Sequence, residues 1–300
     1  GDISKMNVIR SEADLLEINH KAANNKGKTF YYYLANDVTL TKRIHVWEGC
    51  TFVICLHGHT LTCNVPNAQS AFYVMNNARL VFTDCQLSGD RGLITGDSCA
   101  AVSVAETATF ELYGVSICMT SSETDGIRDV YNDPVCGVYN CGTFNMYGGK
   151  IDHNTGIGVK LDGTSGATTT FKMSGGTISN NKGGVSTVGD TFTMSGGEIT
   201  SNTTNGNGGG VNIGNGGKFT MNAGAKITQN TADYAGGGGY VSGGTFIMNG
   251  GEIKSNTANT AGGGVFVYNG TFTVSGKPTV NNNTSGSKVT DNVYLDANKT

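Results

Sequence analysis

The chain has 300 residues, of which only 14% are charged, and a net charge of −3. That sparse, balanced charge leaves no electrostatic footprint for nucleic acid, and no run of about 18 apolar residues is present to cross a membrane as a helix. Forty-six glycines against three prolines suit a turn-dense all-β chain. No secretory signal peptide opens the sequence, and Gly1-Asp2 reads as a start left by processing or tag removal.

Residues 11–23 (SEADLLEINHKAA) predict the one clear helix. Ser11 caps it, Glu12 and Asp14 complement the dipole in its first turn, and Leu15, Leu16, Ile18 and Ala22 form the apolar stripe. Together with residues 31–34 this helix is expected to close one end of the molecule, so residues 1–36 form an N-terminal cap. A partner-binding helix is the alternative.

Residues 38–83 then give two irregular rungs, with Leu56-His57-Gly58-His59-Thr60 at a turn. His57 and His59 would suit a metal or an acid–base pair. No third ligand stands at useful spacing, so the plainer expectation is a turn with one imidazole bonded to backbone. All eight cysteines (50, 55, 63, 85, 99, 118, 136 and 141) fall in the first half. Their even number permits disulfides, while a stacked solenoid also uses cysteine as a small buried residue. Cys99 and Cys136, just before Val102 and Val138, are the best bridged or stacked pair. No CxxC occurs, which argues against zinc or thioredoxin-like chemistry.

Residues 121–134 (SSETDGIRDVYNDP) interrupt the pattern with Glu123, Asp125, Arg128, Asp129, Tyr131 and Asp133. Asp125, Asp129 and Asp133 are candidate Ca²⁺ ligands, although their spacing is not that of an EF-hand, and Tyr131 and Arg128 are candidate sugar contacts. A solvated acidic loop is the alternative. Asp152 and His153 on the following rung complete the densest charged cluster.

From residue 142 to 283 the chain is regular. TFNMYGGKIDHN, TFKMSGGTISNN, TFTMSGGEITSN, TFIMNGGEIKSN and TFTVSGKPTVNN begin at 143, 170, 191, 245 and 271, with looser copies at 109 and 218. The phenylalanine of each copy stands at 110, 144, 171, 192, 219, 246 and 272. A period near 25 signals a repeat architecture. Phe and Met alternate with Thr and Ser, the period of a half-buried strand, and Gly-Gly ends it. Each unit holds three short strands that cannot bury an apolar face alone, so units must stack. Three rows follow: the phenylalanines; Leu112, Met146, Met173, Met194, Met221, Met248 and Val274; and Ile117, Ile151, Ile178, Ile199, Ile227, Ile253 and Val280. Three residues beyond the last row stand Asn154, Asn181, Asn202, Asn230, Asn256 and Asn283. They are expected to stack inward as an amide ladder, the alternative being solvent-facing turn asparagines. The GGG runs are surface turns rather than phosphate loops, because no helix follows them. Residues 284–300 look like an incomplete last rung, as though the native chain continues.

These repeats resemble the right-handed parallel β-helix proteins of the pectin-lyase-like superfamily, and most of all the Gly/Asn-rich repeats of gut-bacterial surface proteins. The resemblance runs from about 109 to 283, with opening rungs in residues 38–62. It implies an all-β right-handed solenoid of about ten rungs in one domain: a cap over 1–36, irregular cysteine-containing rungs over 37–141, and regular repeats beyond. It implies a secreted or cell-surface bacterial protein, monomeric, whose partner is an extracellular polysaccharide, a host glycan or a surface protein. The expected function is a non-catalytic, adhesin-like module that binds through a lateral face. Outward positions Glu111, Asn145, Lys172, Thr193, Thr220, Ile247 and Thr273 would form that face, with Tyr113, Tyr139, Tyr147 and Tyr268 as stacking platforms. The alternative is a polysaccharide lyase or glycoside hydrolase working near residues 84–153, with Arg128, Asp129, Asp133, Asp152 and His153 as its catalytic candidates. No cofactor is required by the binding reading; Ca²⁺ is the cation that the acidic loop would take. An ice-binding array of TxT pairs is broken by Glu111, Asn145, Lys172 and Lys218.

Overall fold

The structure is a computed structural model that describes residues 3–66, 70–86, 91–120, 135–163, 166, 169–286 and 289–296. The chain divides into two compact units, Gly1–Thr155 and Gly156–Thr300. Both are built of parallel strands wound as a β-solenoid, about ten turns in all with three strands per turn, and the described residues contain one α-helix, Glu12–Ala23.

In the first unit the helix buries Leu15, Ile18 and Ala22. Asp14 receives the backbone N–H groups of Arg10 (2.7 Å) and Ser11 (3.1 Å), satisfying donors that the helix itself cannot. Glu12 accepts from the N–H of Lys42 (3.0 Å), tying the helix to the coil beside it. Residues 31–34 do more than close an end: Thr29–Leu34 is itself a coil strand, paired with Thr51–Cys55 on one side and Asn7–Ile9 on the other. Three columns rise through this unit in register. One runs Ile44, Phe72, Val102, Val138. A second runs Phe30, Phe52, Leu80, Phe110, Phe144, and a third Leu61, Ile94, Ile117, Ile151.

The second unit repeats the columns more strictly. Val185, Val211, Gly239, Val265 and Val293 stack in one. Phe171, Phe192, Phe219, Phe246 and Phe272 stack in the next, and Ile178, Ile199, Ile227, Ile253 and Val280 in the third. Ring centroids of successive phenylalanines lie 4.6–4.9 Å apart, the spacing of hydrogen-bonded strands. Each fully buried ring contributes roughly 2–3 kcal/mol of transfer free energy. The rows lose burial at their last members, where Val274 is 50% exposed, because the following strand covers only Val265–Val267.

The asparagines form the expected ladder. In the second unit the Nδ2 of Asn181, Asn202, Asn230 and Asn256 each donates to the Oδ1 of the next asparagine at 2.9–3.0 Å, and the same Oδ1 accepts that residue's own backbone N–H at 2.9–3.1 Å. A second Nδ2 bond reaches an isoleucine carbonyl, as from Asn230 to Ile199 (2.9 Å). Asn283 continues the chain to Asn292, a member the repeat does not reveal because it lies nine residues away. In the first unit Asn154 accepts from the N–H of Met119 (2.7 Å). The residue before each of these turns, His153, Asn180, Ser201, Gln229, Ser255 and Asn282, takes positive φ near 55°. That left-handed step turns the chain so that the asparagine points inward. The glycine runs serve the same turn from the facing strand: a Cβ on Gly238 would stand 2.6 Å from the Gly264 carbonyl and 3.0 Å from Asn256 Nδ2. These glycines are set by close approach, not by surface exposure; Gly208–Gly210 and Gly236–Gly239 are buried or nearly so.

Candidate functional site

On the first unit, two of the sequence-predicted binding residues come together. Tyr113 and Tyr147 each follow an inward residue (Leu112, Met146) at the end of strands Thr109–Tyr113 and Thr143–Met146, which pair in register. Their rings are therefore one coil apart, stacked at 4.5 Å with 13° between planes, and both stay exposed (38% and 47%). Glu111 anchors the pair. It lies nearly buried, takes a bidentate bond from Arg79 (Nε 3.0 Å, Nη2 2.7 Å) and accepts from the Tyr113 hydroxyl (3.1 Å). Burial, then that carboxylate, pushes the Tyr113 hydroxyl up to about 12, so it stays a neutral donor at physiological pH. The Arg91 guanidinium lies over Gly114, the residue after Tyr113, where an added Cβ would meet Nη1 at 2.7 Å. Glu111 was expected to be an outward, variable position; it is instead the fixed centre of a polar network that holds an aromatic platform.

Asp152 and His153 also meet, with Oδ2 3.0 Å from Nδ1. His153 occupies the left-handed position before Asn154, and its carbonyl accepts from Cys118 Sγ at 3.8 Å. Burial, then Asp152, pushes the Cys118 thiol up. Asp125, Arg128, Asp129, Tyr131 and Asp133 lie outside the described residues. Asp84 has a structural role: its carboxylate receives the N–H groups of Gly58, Gln86 and Gly92, and so closes the His57 turn.

That turn holds a disulfide that the sequence did not single out, and Cys99 and Cys136, the expected bridged or stacked pair, are stacked and not bridged. The disulfide joins Cys55 to Cys85 across adjacent coils, while Cys99 and Cys136 are buried thiols on stacked coils linked by a backbone bond of 2.9 Å. His57 and His59 do not act as a ligand pair: His57 stands beside the disulfide instead. Cys85 Sγ lies 3.8 Å from His57 Nδ1, and Cys55, His57 and Cys85 are the group of three metal-capable side chains found within 4.8 Å of one another among the described residues. His59 is held separately, Nδ1 3.3 Å from Asp37, which also accepts the Thr60 N–H at 2.8 Å.

Sequence reasoning missed a second aromatic column. On the other unit Tyr240, Phe266 and Tyr294 stand in register and stack at 5.5 and 5.2 Å with 10° and 4° between planes. The signal was available, since alternation places Phe266 on the opposite side of its strand from buried Val265 and Val267.

The class these observations define is a parallel β-solenoid with aromatic stacks on its outer surface. No protein family, curated protein or solved structure matches the chain. The functional reading therefore rests on its own residues.

Proposed function

We propose that the chain is a non-catalytic binding module, secreted or displayed at a bacterial cell surface, that holds glycan against its lateral face. The carrying observation is the exposed Tyr113–Tyr147 stack with its Glu111–Arg79 anchor. Stacked, pre-ordered rings offer a flat apolar surface to the C–H face of a sugar, and the half-exposed Arg79 guanidinium, held by Glu111, suits hydroxyls or a uronate carboxylate. Little conformational entropy is lost on binding, since the platform is already held. The Tyr240–Phe266–Tyr294 column adds a surface of the same kind. The Cys55–Cys85 disulfide supports an oxidising compartment. The superfamily resemblance to pectin-lyase-like proteins of gut bacteria belongs to this reading, as does a polysaccharide or host-glycan partner.

Of the catalytic candidates of the enzyme alternative, Asp152 and His153 lie among the described residues, and they meet. Hydrolysis of a glycosidic bond needs two carboxyl groups about 5–10 Å apart across the sugar. The test is a glycan array with the full chain, joined to turnover assays on pectins and host glycans with and without Ca²⁺. Binding without product release is the expected result. Release of unsaturated or reducing sugar, abolished by Asp152→Asn or Asp129→Ala, replaces this reading with the enzyme.

A further inference from the structure

We infer that Cys55, His57 and Cys85 form a redox-gated site for a thiophilic d¹⁰ cation of the Zn²⁺ type: closed as a disulfide when oxidised, open as an S₂N ligand set when reduced. The inference does not rest on the glycan reading; in the oxidising compartment of that reading the site stays closed as a disulfide until a reductant reaches it.

The donors are assembled by the fold. Cys55 ends strand Thr51–Cys55, His57 sits two residues on, and Cys85 follows strand Arg79–Thr83 on the adjacent coil. Cys85 Sγ lies 3.8 Å from His57 Nδ1 and all three ligand atoms lie within 4.8 Å of one another, close to the roughly 4 Å separation that two ligands span across a Zn²⁺ ion at about 2.0–2.3 Å from each. Two sulfurs and an imidazole are the chemistry such ions select. The surroundings fit a thiolate pair as well. The Cys85 backbone N–H already points at Cys55 Sγ (3.2 Å), a bond that strengthens when the sulfur carries charge. Lys5 lines the same cleft. The Tyr33 ring meets the His57 ring edge-on at 5.9 Å, and Gln86 fixes the His57 backbone by donating to its carbonyl (3.1 Å). Such outer contacts orient a metal-binding histidine. His57 also keeps a left-handed backbone, φ 51°, with its Nδ1 3.8 Å from Cys85 Sγ.

An opening lies beside the two cysteines. A cleft of about 470 Å³, lined by Lys5, Met6, Tyr31, Val53, Thr83 and the two cysteines, lies against Cys55 and Cys85. A three-ligand zinc site with access to solvent keeps a position for water or a small donor, and the Met6 thioether on the cleft wall is a soft group of the right kind.

The step balances simply. A phosphine reductant becomes its oxide with oxygen from water, and the S–S bond becomes two thiols. The cation then displaces both thiol protons into solvent, so uptake of each ion is accompanied by release of about two protons.

The test adds Co²⁺, then Zn²⁺, under anaerobic conditions to the full chain, both oxidised and after phosphine reduction. The expected result is thiolate-to-Co²⁺ charge-transfer absorption in the reduced protein alone, bleached by one equivalent of Zn²⁺. His57→Asn keeps a residue that tolerates the left-handed backbone and is expected to weaken Co²⁺ binding at least about tenfold. The Cys55→Ser/Cys85→Ser pair is expected to abolish the band, which separates this site from the remaining cysteines. Absence of the band in reduced wild type overturns the inference. So does a band of unchanged affinity in His57→Asn, or one that survives loss of both cysteines.

Discussion

Replacing Asn230 by alanine probes the interior of the second unit most sharply. Asn230 has no exposed surface. Its side chain donates to the Ile199 carbonyl (2.9 Å) and to Asn256 Oδ1 (3.0 Å), and it accepts the Asn202 backbone N–H and Nδ2, both at 3.0 Å. Asn230→Ala leaves Asn256 Oδ1 with the Asn230 backbone N–H at 2.9 Å, and leaves Asn202 Nδ2 with the carbonyls of Ile178 and Thr200. The Asn202 N–H and the Ile199 carbonyl lose these partners inside the core. Each buried group left unmade costs about 1–3 kcal/mol, so the expected loss is about 4 kcal/mol once the vacated volume is included. Asn249→Ala is the matched control. It also removes an asparagine–asparagine bond, to Asn222 at 3.0 Å, but at the surface, and is expected to cost less than about 1 kcal/mol. Urea unfolding followed by circular dichroism measures both, with the slope checked for loss of cooperativity, since solenoids can unfold in parts. Equal effects at the two positions, or a loss at Asn230 below about 1 kcal/mol, refute the claim that the ladder is a buried, obligatory network.

Gly238→Ala is expected to cost about 1–3 kcal/mol by overpacking against the Gly264 carbonyl and Asn256, whereas Gly206→Ala, whose nearest neighbour would be Thr204 Oγ1 at 3.6 Å, should change the urea midpoint little. Asp190 is nearly buried, and burial pushes its carboxyl from 3.8 up to about 6. Its folded pKa lies above the unfolded one, so the native state holds the proton more tightly and stability falls as pH rises from about 4 to about 6. Asp190→Asn should therefore be more stable than wild type at pH 7, by an amount on the order of 1–3 kcal/mol, with the advantage vanishing near pH 4; thermal unfolding across that range checks it, and a constant difference contradicts the assignment.

The repeats made the columns legible because one coil imposes one register: Phe192 can only stand on Phe219 if Met194 stands on Met221 and Ile199 on Ile227, as they do. The ladder followed from the same logic; Tyr113 and Tyr147 were legible as outward platforms, but their stacking on each other emerged only from the structure. The metal-capable group was hidden for the opposite reason. Cys55 and Cys85 are 30 residues apart on coils without a common repeat, so no spacing rule aligns Cys85 with His57. Asn292 escaped because it reaches the ladder from nine residues away rather than from a full coil. The glycine runs read as surface turns because a glycine needed for φ and one needed for close approach look alike in a sequence. Which sugar the tyrosines would meet is written in neither the period nor the composition.

The central claim, that the exposed tyrosine stack is a contact surface, is tested most directly by titrating an array-selected oligosaccharide into wild type and into the Tyr113→Ala/Tyr147→Ala variant by calorimetry. Both tyrosines lie at the surface, 38% and 47% exposed, and the variant gives up one partly exposed hydrogen bond to Glu111, so its urea midpoint should stay close to wild type while its affinity falls at least about tenfold, the worth of about 1.4 kcal/mol of ring contact. Undiminished affinity in a folded variant contradicts the account.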